Sequence, residues 1–160
     1  DLLCETYHMK IYVDADACPV KEEVVRVAER HGIGVVFVSN QLGRLPNSHL
    51  IERVLVSDGA DVADDWIAER IEANDICVTQ DILLAKRCLD AGAHAIGTTG
   101  KAFDQANIGM ALAMREFRQH LRETGQGGSY NAPLRRDDRS RFLQVLENVI
   151  QEILRHNRQE

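Results

Sequence analysis

Ile11-Tyr12-Val13-Asp14-Ala15-Asp16-Ala17-Cys18-Pro19 joins an apolar, β-branched run to two carboxylates spaced i, i+2. The run has the character of a buried strand, and side chains two apart on a strand point the same way. Asp14 and Asp16 are therefore expected to converge at its carboxyl end, the edge where open α/β sheets bind ligands. Pro19 follows as a helix opener, where its missing N–H costs nothing. Two like charges held together call for neutralisation, and a hard divalent cation, Mg2+ or Mn2+, supplies it. The plainer account gives one Asp to the helix cap and leaves the other in water.

From that stretch outward, strand and helix alternate. Val20 to His31 places Val20, Val24, Val25 and Ala28 at helical spacing, with Gly32 as the stop. Val35 to Val38 is a second buried strand ending at Ser39-Asn40, and a loop from Gln41 to His49 contains the breakers Gly43 and Pro46. A third strand is expected over Arg53 to Ser57. A helix over Asp61 to Ile71 follows, with Ala63, Trp66, Ile67 and Ile71 as its apolar stripe. Asp75 to Thr79 is the fourth strand, leading through Gln80-Asp81 into a helix bearing Leu83, Leu84 and Leu89. Ala93 to Gly97 is the fifth. Such alternation predicts a parallel sheet with helices on both faces, a three-layer α/β/α arrangement. Two long C-terminal helices then pack on it. The first is striped by Ile108, Leu112, Phe117 and Leu121, the second by Phe142, Leu143, Leu146, Val149, Ile150 and Ile153, with a loop over Gly127 to Pro133 between them.

Composition narrows the class. With 160 residues, 44% apolar and 28% charged, the chain suits one globular domain over residues 9–160. Residues 1–8 lack periodicity and are expected to be a leader or an added remnant, because Met9-Lys10 runs straight into the first strand. No apolar run is long enough to span a bilayer, so no membrane role is expected. Four cysteines without a CxxC pair suit reduced thiols in the cytoplasm, and the scattered histidines argue against zinc. Cys18 lies at a helix start, but its acidic neighbours oppose a thiolate. Charge is uneven: residues 1–100 hold 9 Lys+Arg against 17 Asp+Glu, residues 101–160 hold 10 against 8. An acidic front and an Arg-rich back suit a metal site served by phosphate-gripping groups, although a solvated helical surface explains most arginines as cheaply.

Three strand ends carry acids: Asp14/Asp16, the Asp58-Gly59-Ala60-Asp61-Val62-Ala63-Asp64-Asp65 segment, and Thr79-Gln80-Asp81. In a parallel sheet those ends share one edge. Acids in a first helical turn also suit the helix dipole, which accounts for one or two of them.

The runs VDADACPVKEEV, SDGADVADDWI, TQDILLAK and AMREFRQHLR, in that order, resemble the uncharacterised bacterial YaiI/YqxD family, which is grouped with the PIN-like domains. The resemblance implies a PIN-like, Rossmann-like α/β/α fold and an acidic metal site. Its expected metal ligands are Asp14, Asp16, Asp61, Asp64 and Asp81, with Asp14, Asp16, Asp64 and Asp81 as the catalytic set. It implies a Mg2+- or Mn2+-dependent phosphodiester hydrolase, with RNA the favoured substrate among phosphate-containing ones. Arg115 is the expected phosphate contact, and Asn40 and Thr79 the polar groups that orient water or substrate. Two alternatives stay open. One is a haloacid-dehalogenase-type phosphatase with Asp14 as nucleophile and Asp16 as acid/base. The other is a non-catalytic PIN-like module that binds nucleic acid, for which 5% aromatic content leaves few stacking platforms.

Overall fold

A computed structural model describes residues 9–41, 43–125 and 134–158; the expected leader and the expected Gly127–Pro133 loop lie outside them. Six strands form, β1 (Lys10–Asp14), β2 (Gly34–Ser39), β3 (Ile51–Leu55), β4 (Ile76–Val78), β5 (His94–Ile96) and β6 (Ala102–Phe103). Their order across the sheet is β3-β2-β1-β4-β5-β6. β1 is central, paired in parallel with β2 on one side and β4 on the other. Strand order therefore reverses between β1 and β4, which is where α/β sheets open a crevice beyond their carboxyl ends.

The helices are α1 (Lys21–His31), α2 (Val62–Arg70), α3 (Ile82–Asp90), α4 (Gln105–Glu123) and α5 (Arg136–Arg158). Alternate strand residues feed opposite cores, as a pleated sheet covered on both faces requires. Ile11, Val13, Val35, Phe37, Ile76 and Val78 pack with Val24, Val27 and Ala28 of α1 and with Phe142, Leu146 and Ile150 of α5. Tyr12, Val36, Val38 and Cys77 face the other way, onto Ile67 of α2 and Leu84 and Cys88 of α3. The α/β/α layering is thus the one the periodicity predicts. Gly100 lets α5 come close: at φ +89° it has no Cβ, and an added one would lie 2.7 Å from Arg141 Cγ.

Three expectations need correcting. The sheet is mixed, because β6 runs antiparallel to β5; a two-residue strand is too short to leave a pattern. β3 sits two residues earlier than expected, since this half-exposed edge strand takes its register from pairing Val35 with Ile51 and Ser39 with Leu55. The third concerns α4, which does not lie along the sheet. Only Ile108 is buried on it, in a small cluster with Ala85 of α3, Ala95 and Phe103, while Leu112 is partly buried there and Phe117 is 56% exposed. α4 begins with a capping box in which Asp104 accepts from Asn107 N and the Asn107 side chain accepts from Asp104 N.

Among the described residues no helix is long and apolar enough to cross a membrane. Cys18, Cys77 and Cys88 are buried free thiols.

Candidate active site at the carboxyl edge of the sheet

β1 ends at Asp14, and the chain turns at once into a 3-10 helix over Ala15–Ala17. That turn breaks the strand alternation on which convergence of Asp14 and Asp16 was expected. Asp16 is instead turned toward the end of β2, where its Oδ1 accepts from Ser39 Oγ at 2.6 Å and its Oδ2 from Asn40 N at 3.0 Å. Asp14 is half-buried and turns toward β4. There Thr79 Oγ1 donates to its Oδ2 at 3.2 Å and accepts from Asp81 N at 3.0 Å, tying β1 to the segment after β4. Thr79 itself is 1% exposed, so its hydroxyl serves the protein and not the solvent.

Asp81 caps α3, accepting from Leu83 N and Leu84 N at 2.9 and 3.3 Å. Its backbone is extended, as a cap residue's should be. The third acid comes from the first turn of α2. Asp61, in left-handed conformation at φ 70°, opens that helix without capping it through its side chain. One turn on, Asp64 and Asp65 part company. Asp65 pairs with Arg87 at 2.7 Å, which removes it from the cluster. Asp64 meets Asp81.

The electrostatics register the influence of these carboxyls on one another. Burial raises the Asp14 carboxyl above the usual carboxylate range; the Thr79 hydrogen bond opposes this, and the charges of Asp81 and Asp16 add to it. Asp64 is pushed up to about 7, first by burial, then by its hydrogen bond to Asp81 and by the charges of Asp81, Asp14 and Asp61. A carboxyl that keeps its proton near neutrality because it is buried beside other carboxylates marks a site short of positive charge. Asp14, Asp64 and Asp81, from three separate segments, are thus brought together; Asp61 stands at the margin, and Asp16 faces β2.

Oxygen donors of this kind suit Mg2+ or Mn2+. Among the described residues, no group of three Asp, Glu, His or Cys side chains is placed to hold a metal ion. Mg2+ seldom needs one: it is commonly held through one or two carboxylates, with water and substrate phosphate completing its shell. Any such ion would have to be held here by one or two of these carboxylates, with water and phosphate supplying the rest.

A cleft of about 640 Å³ opens over this edge, within the roughly 300–1,000 Å³ of small-molecule sites. Asp14, Gln80 and Asp81 line it together with Lys101 and Phe103, and α4 contributes Met110, Met114, Arg115, Arg118 and Arg122. Arg115, the expected phosphate contact, is thus one of the residues that line the cleft. Arg118, Arg122 and Lys101 escaped the sequence reading, although Arg115, Arg118 and Arg122 lie at the i, i+3, i+7 spacing of one helix face. Arg139 and Arg141, on α5 in the same Arg-rich back half, have other work. Arg139 bonds Glu23 at 3.0 Å and the Pro19 carbonyl at 3.0 Å, and Arg141 bonds Asp138 at 3.1 Å.

Asn40 gives its backbone N–H to Asp16, while its Oδ1 is buried without a donor among the described residues. Cys18 is inert, since burial above all pushes its thiol up to about 11. Asp75, at the amino end of β4 and 4% exposed, accepts from Lys10 N and Glu72 N; it fastens strands at the edge remote from the site.

Comparison with known proteins identifies the lineage. The family described as "Uncharacterized BCR, YaiI/YqxD family" matches residues 12–152. A UPF0178 protein of Rhizobium meliloti is 54% identical over 145 residues, covering 91% of this chain and 99% of its own length. One of Agrobacterium fabrum is 52% identical over 144 residues, with 90% and 94% covered. One of Parvibaculum lavamentivorans is 55% identical over 147, with 91% and 96% covered. No solved structure matches the chain. The chain belongs to the YaiI/YqxD family.

Proposed function

We propose that this member of the YaiI/YqxD family is a PIN-like nuclease, a Mg2+- or Mn2+-dependent phosphodiester hydrolase that acts on RNA in the cytoplasm. The observation that carries the reading is the meeting of Asp14, Asp64 and Asp81 at the strand-order reversal, under a cleft whose α4 wall bears Arg115, Arg118 and Arg122. Acids for a cation and arginines for a phosphate are the two halves of such a site.

A divalent cation, when bound, would polarise a phosphodiester and lower the pKa of an attached water. Asp14, Asp64 and Asp81 are the groups that would hold it, with Asp61 as an outlying acid. Thr79 fixes the Asp14 carboxylate through its hydroxyl and fixes the start of α3 through Asp81 N. Asp64, pushed up to about 7 beside Asp81, would have to give up its proton to serve as a ligand. Arg115, Arg118 and Arg122 take the non-bridging oxygens of the phosphate. The phosphatase alternative needs Asp16 free beside Asp14, whereas both Asp16 oxygens accept hydrogen bonds from the end of β2.

The test is cleavage of a labelled single-stranded RNA in Mn2+. Wild-type protein should cleave it, and a chelator should stop it. Asp14→Asn and Asp81→Asn should each lower the rate at least about 100-fold, the upper end even for groups that only orient metal ligands. Asn at 81 keeps the helix cap, so the second loss is not one of folding. Cleavage that survives the chelator, or is unchanged in Asp14→Asn, overturns the reading. Capture of beryllofluoride on Asp14 would support the phosphatase in its place.

A further inference from the structure

We propose a second anion subsite, formed by Lys21, Arg44 and Arg53 on the opposite side of Asp14 from α4, which makes the substrate a single-stranded polynucleotide gripped on both flanks of the acidic centre. This deepens the phosphodiester reading above and rests on it for the role of the acids.

A separate cavity of about 180 Å³ opens between the 3-10 turn, the end of β2, β3 and the loop that follows β2. Lys21, Arg44 and Arg53 line it with Ser39, Gln41 and Asp16. It falls below the roughly 300 Å³ at which small-molecule pockets begin, so it suits a phosphate and not a whole nucleotide. Three cations face one acid there, and that acid already accepts from Ser39 Oγ and Asn40 N. Lys21 Nζ donates to the Cys18 carbonyl at 2.9 Å, which holds the ammonium near the turn. Arg44 and Arg53 are exposed, and neither has an ion-pair partner among the described residues. Arg30, Arg87, Arg139 and Arg141, by contrast, are each spent on a carboxylate.

Strand order sets these groups in a line. Arg53 is on β3, Ser39 ends β2, Asp14 ends β1, Asp81 follows β4, and Lys101 precedes β6. β3 and β4 are three strand spacings apart, roughly 14 Å. A single phosphate cannot touch both flanks across that span; consecutive phosphates of one chain can. A backbone entering over Arg44 and Arg53, crossing Asp14 and Asp81, and leaving along Arg115, Arg118 and Arg122 meets cations, then acids, then cations. Such a track reads the backbone and leaves the bases free, in keeping with a cavity that has little aromatic lining.

The experiment measures binding of a labelled single-stranded RNA of about 12 nucleotides, within the usual range of single-strand site sizes. The full chain carrying Asp14→Asn is used in Mg2+, so that no cleavage intervenes. Affinity is followed by fluorescence anisotropy over roughly 50–200 mM salt. Adding Arg44→Ala and Arg53→Ala should weaken binding about tenfold at low salt and reduce the slope of log affinity on log salt by about 1, as loss of one to two phosphate contacts requires. Arg44→Lys with Arg53→Lys should restore most of the slope. Arg26→Ala with Arg155→Ala removes the same charge from helix surfaces elsewhere and should leave the slope unchanged. A dinucleotide should bind far more weakly than the longer strand, because it cannot reach both flanks. The track is overturned by an unchanged slope in the Arg44/Arg53 variant, by an equal loss in the Arg26/Arg155 variant, by a dinucleotide that binds as tightly as the longer strand, or by no RNA binding at all. Mn2+-dependent cleavage by the wild type is scored separately. Cleavage with an unchanged slope fails the track and spares the nuclease; a reduced slope without cleavage does the reverse.

Discussion

α4 and α5 have the same signature in sequence, a long helix with an apolar stripe, and they are used in opposite ways. α5 buries Phe142, Leu146, Ile150 and Ile153 completely or nearly so against the sheet and α1. α4 buries one residue, Ile108, and leaves Met110 70%, Met114 42% and Phe117 56% exposed. Arg139 and Arg141 of α5 are engaged in ion pairs, whereas Arg115, Arg118 and Arg122 of α4 line the cleft. An apolar stripe therefore marks a face that can be buried, and only the sheet's coverage decides whether it is. α1 and α5 already cover one face and α2 and α3 the other, so α4 is left to pack on the flank of α3. That position makes it a wall for the cleft.

Truncation breaks this comparison most sharply. Leu146→Ala removes a fully buried side chain and should cost about 2–5 kcal/mol in urea unfolding. Phe117→Ala on α4 should cost under about 0.5 kcal/mol, as surface changes do. A loss at Phe117 approaching that at Leu146 would mean that α4 is a core helix after all.

Arginines sharpen it at a smaller scale. Arg139 pairs with Glu23, whose side chain is 12% exposed, so Arg139→Ala leaves a largely buried carboxylate without its cation. About 1–3 kcal/mol of stability should go with it, with substrate affinity untouched. Arg118→Ala should do the opposite: stability within about 0.5 kcal/mol of wild type, and RNA affinity reduced with a shallower salt slope. The two variants exchanging phenotypes would reverse the assignment of α4 to substrate and α5 to the fold.

What the chain disclosed in advance follows from how local each signal is. Buried strands announce themselves by composition, so β1, β2 and β4 were legible, and with them the edge at which Asp14 and Asp81 lie. The core faces of α1 and α5 were legible from spacing alone. The direction of Asp16 was not, because a 3-10 turn after a strand rests on backbone geometry that Ala-Asp-Ala does not advertise. Nor could local spacing separate Asp64 from Asp65, which only the family resemblance told apart: both lie in one helical turn, and the position of Arg87 on α3, 22 residues on, claims one and leaves the other to Asp81. The roles of Arg118 and Arg139 were hidden for the same reason. Charge is local, but a partner is not.

The smallest effect tests the cleft side of the comparison through stability, without substrate. Asp64 titrates near 7 in the fold, against an ordinary aspartate value of 3.8. Between about pH 4 and pH 7 the native state therefore binds more protons than the unfolded chain, so stability falls as pH rises across that window and is flat above it. Asp64→Asn cannot lose that proton. The variant should match wild type near pH 4 and exceed it at pH 8, by on the order of 1 kcal/mol; the full shift implies more, but Asp64 is half-exposed and solvent screens it. Asp14→Asn, which keeps an oxygen to accept from Thr79, should likewise leave the metal-free protein as stable or slightly more so. Mn2+ binding to the native state alone should raise the wild-type melting temperature, and both variants should lose most of that rise. If Asp14 only capped a helix, its replacement would cost up to about 1 kcal/mol with no metal dependence in either protein. Thermal melts at pH 4, 6 and 8, with and without Mn2+, separate the two accounts. Parallel pH profiles for wild type and Asp64→Asn, together with melts indifferent to Mn2+, would remove the carboxylate cluster as a cation site and leave the α4 arginines as a binding surface alone.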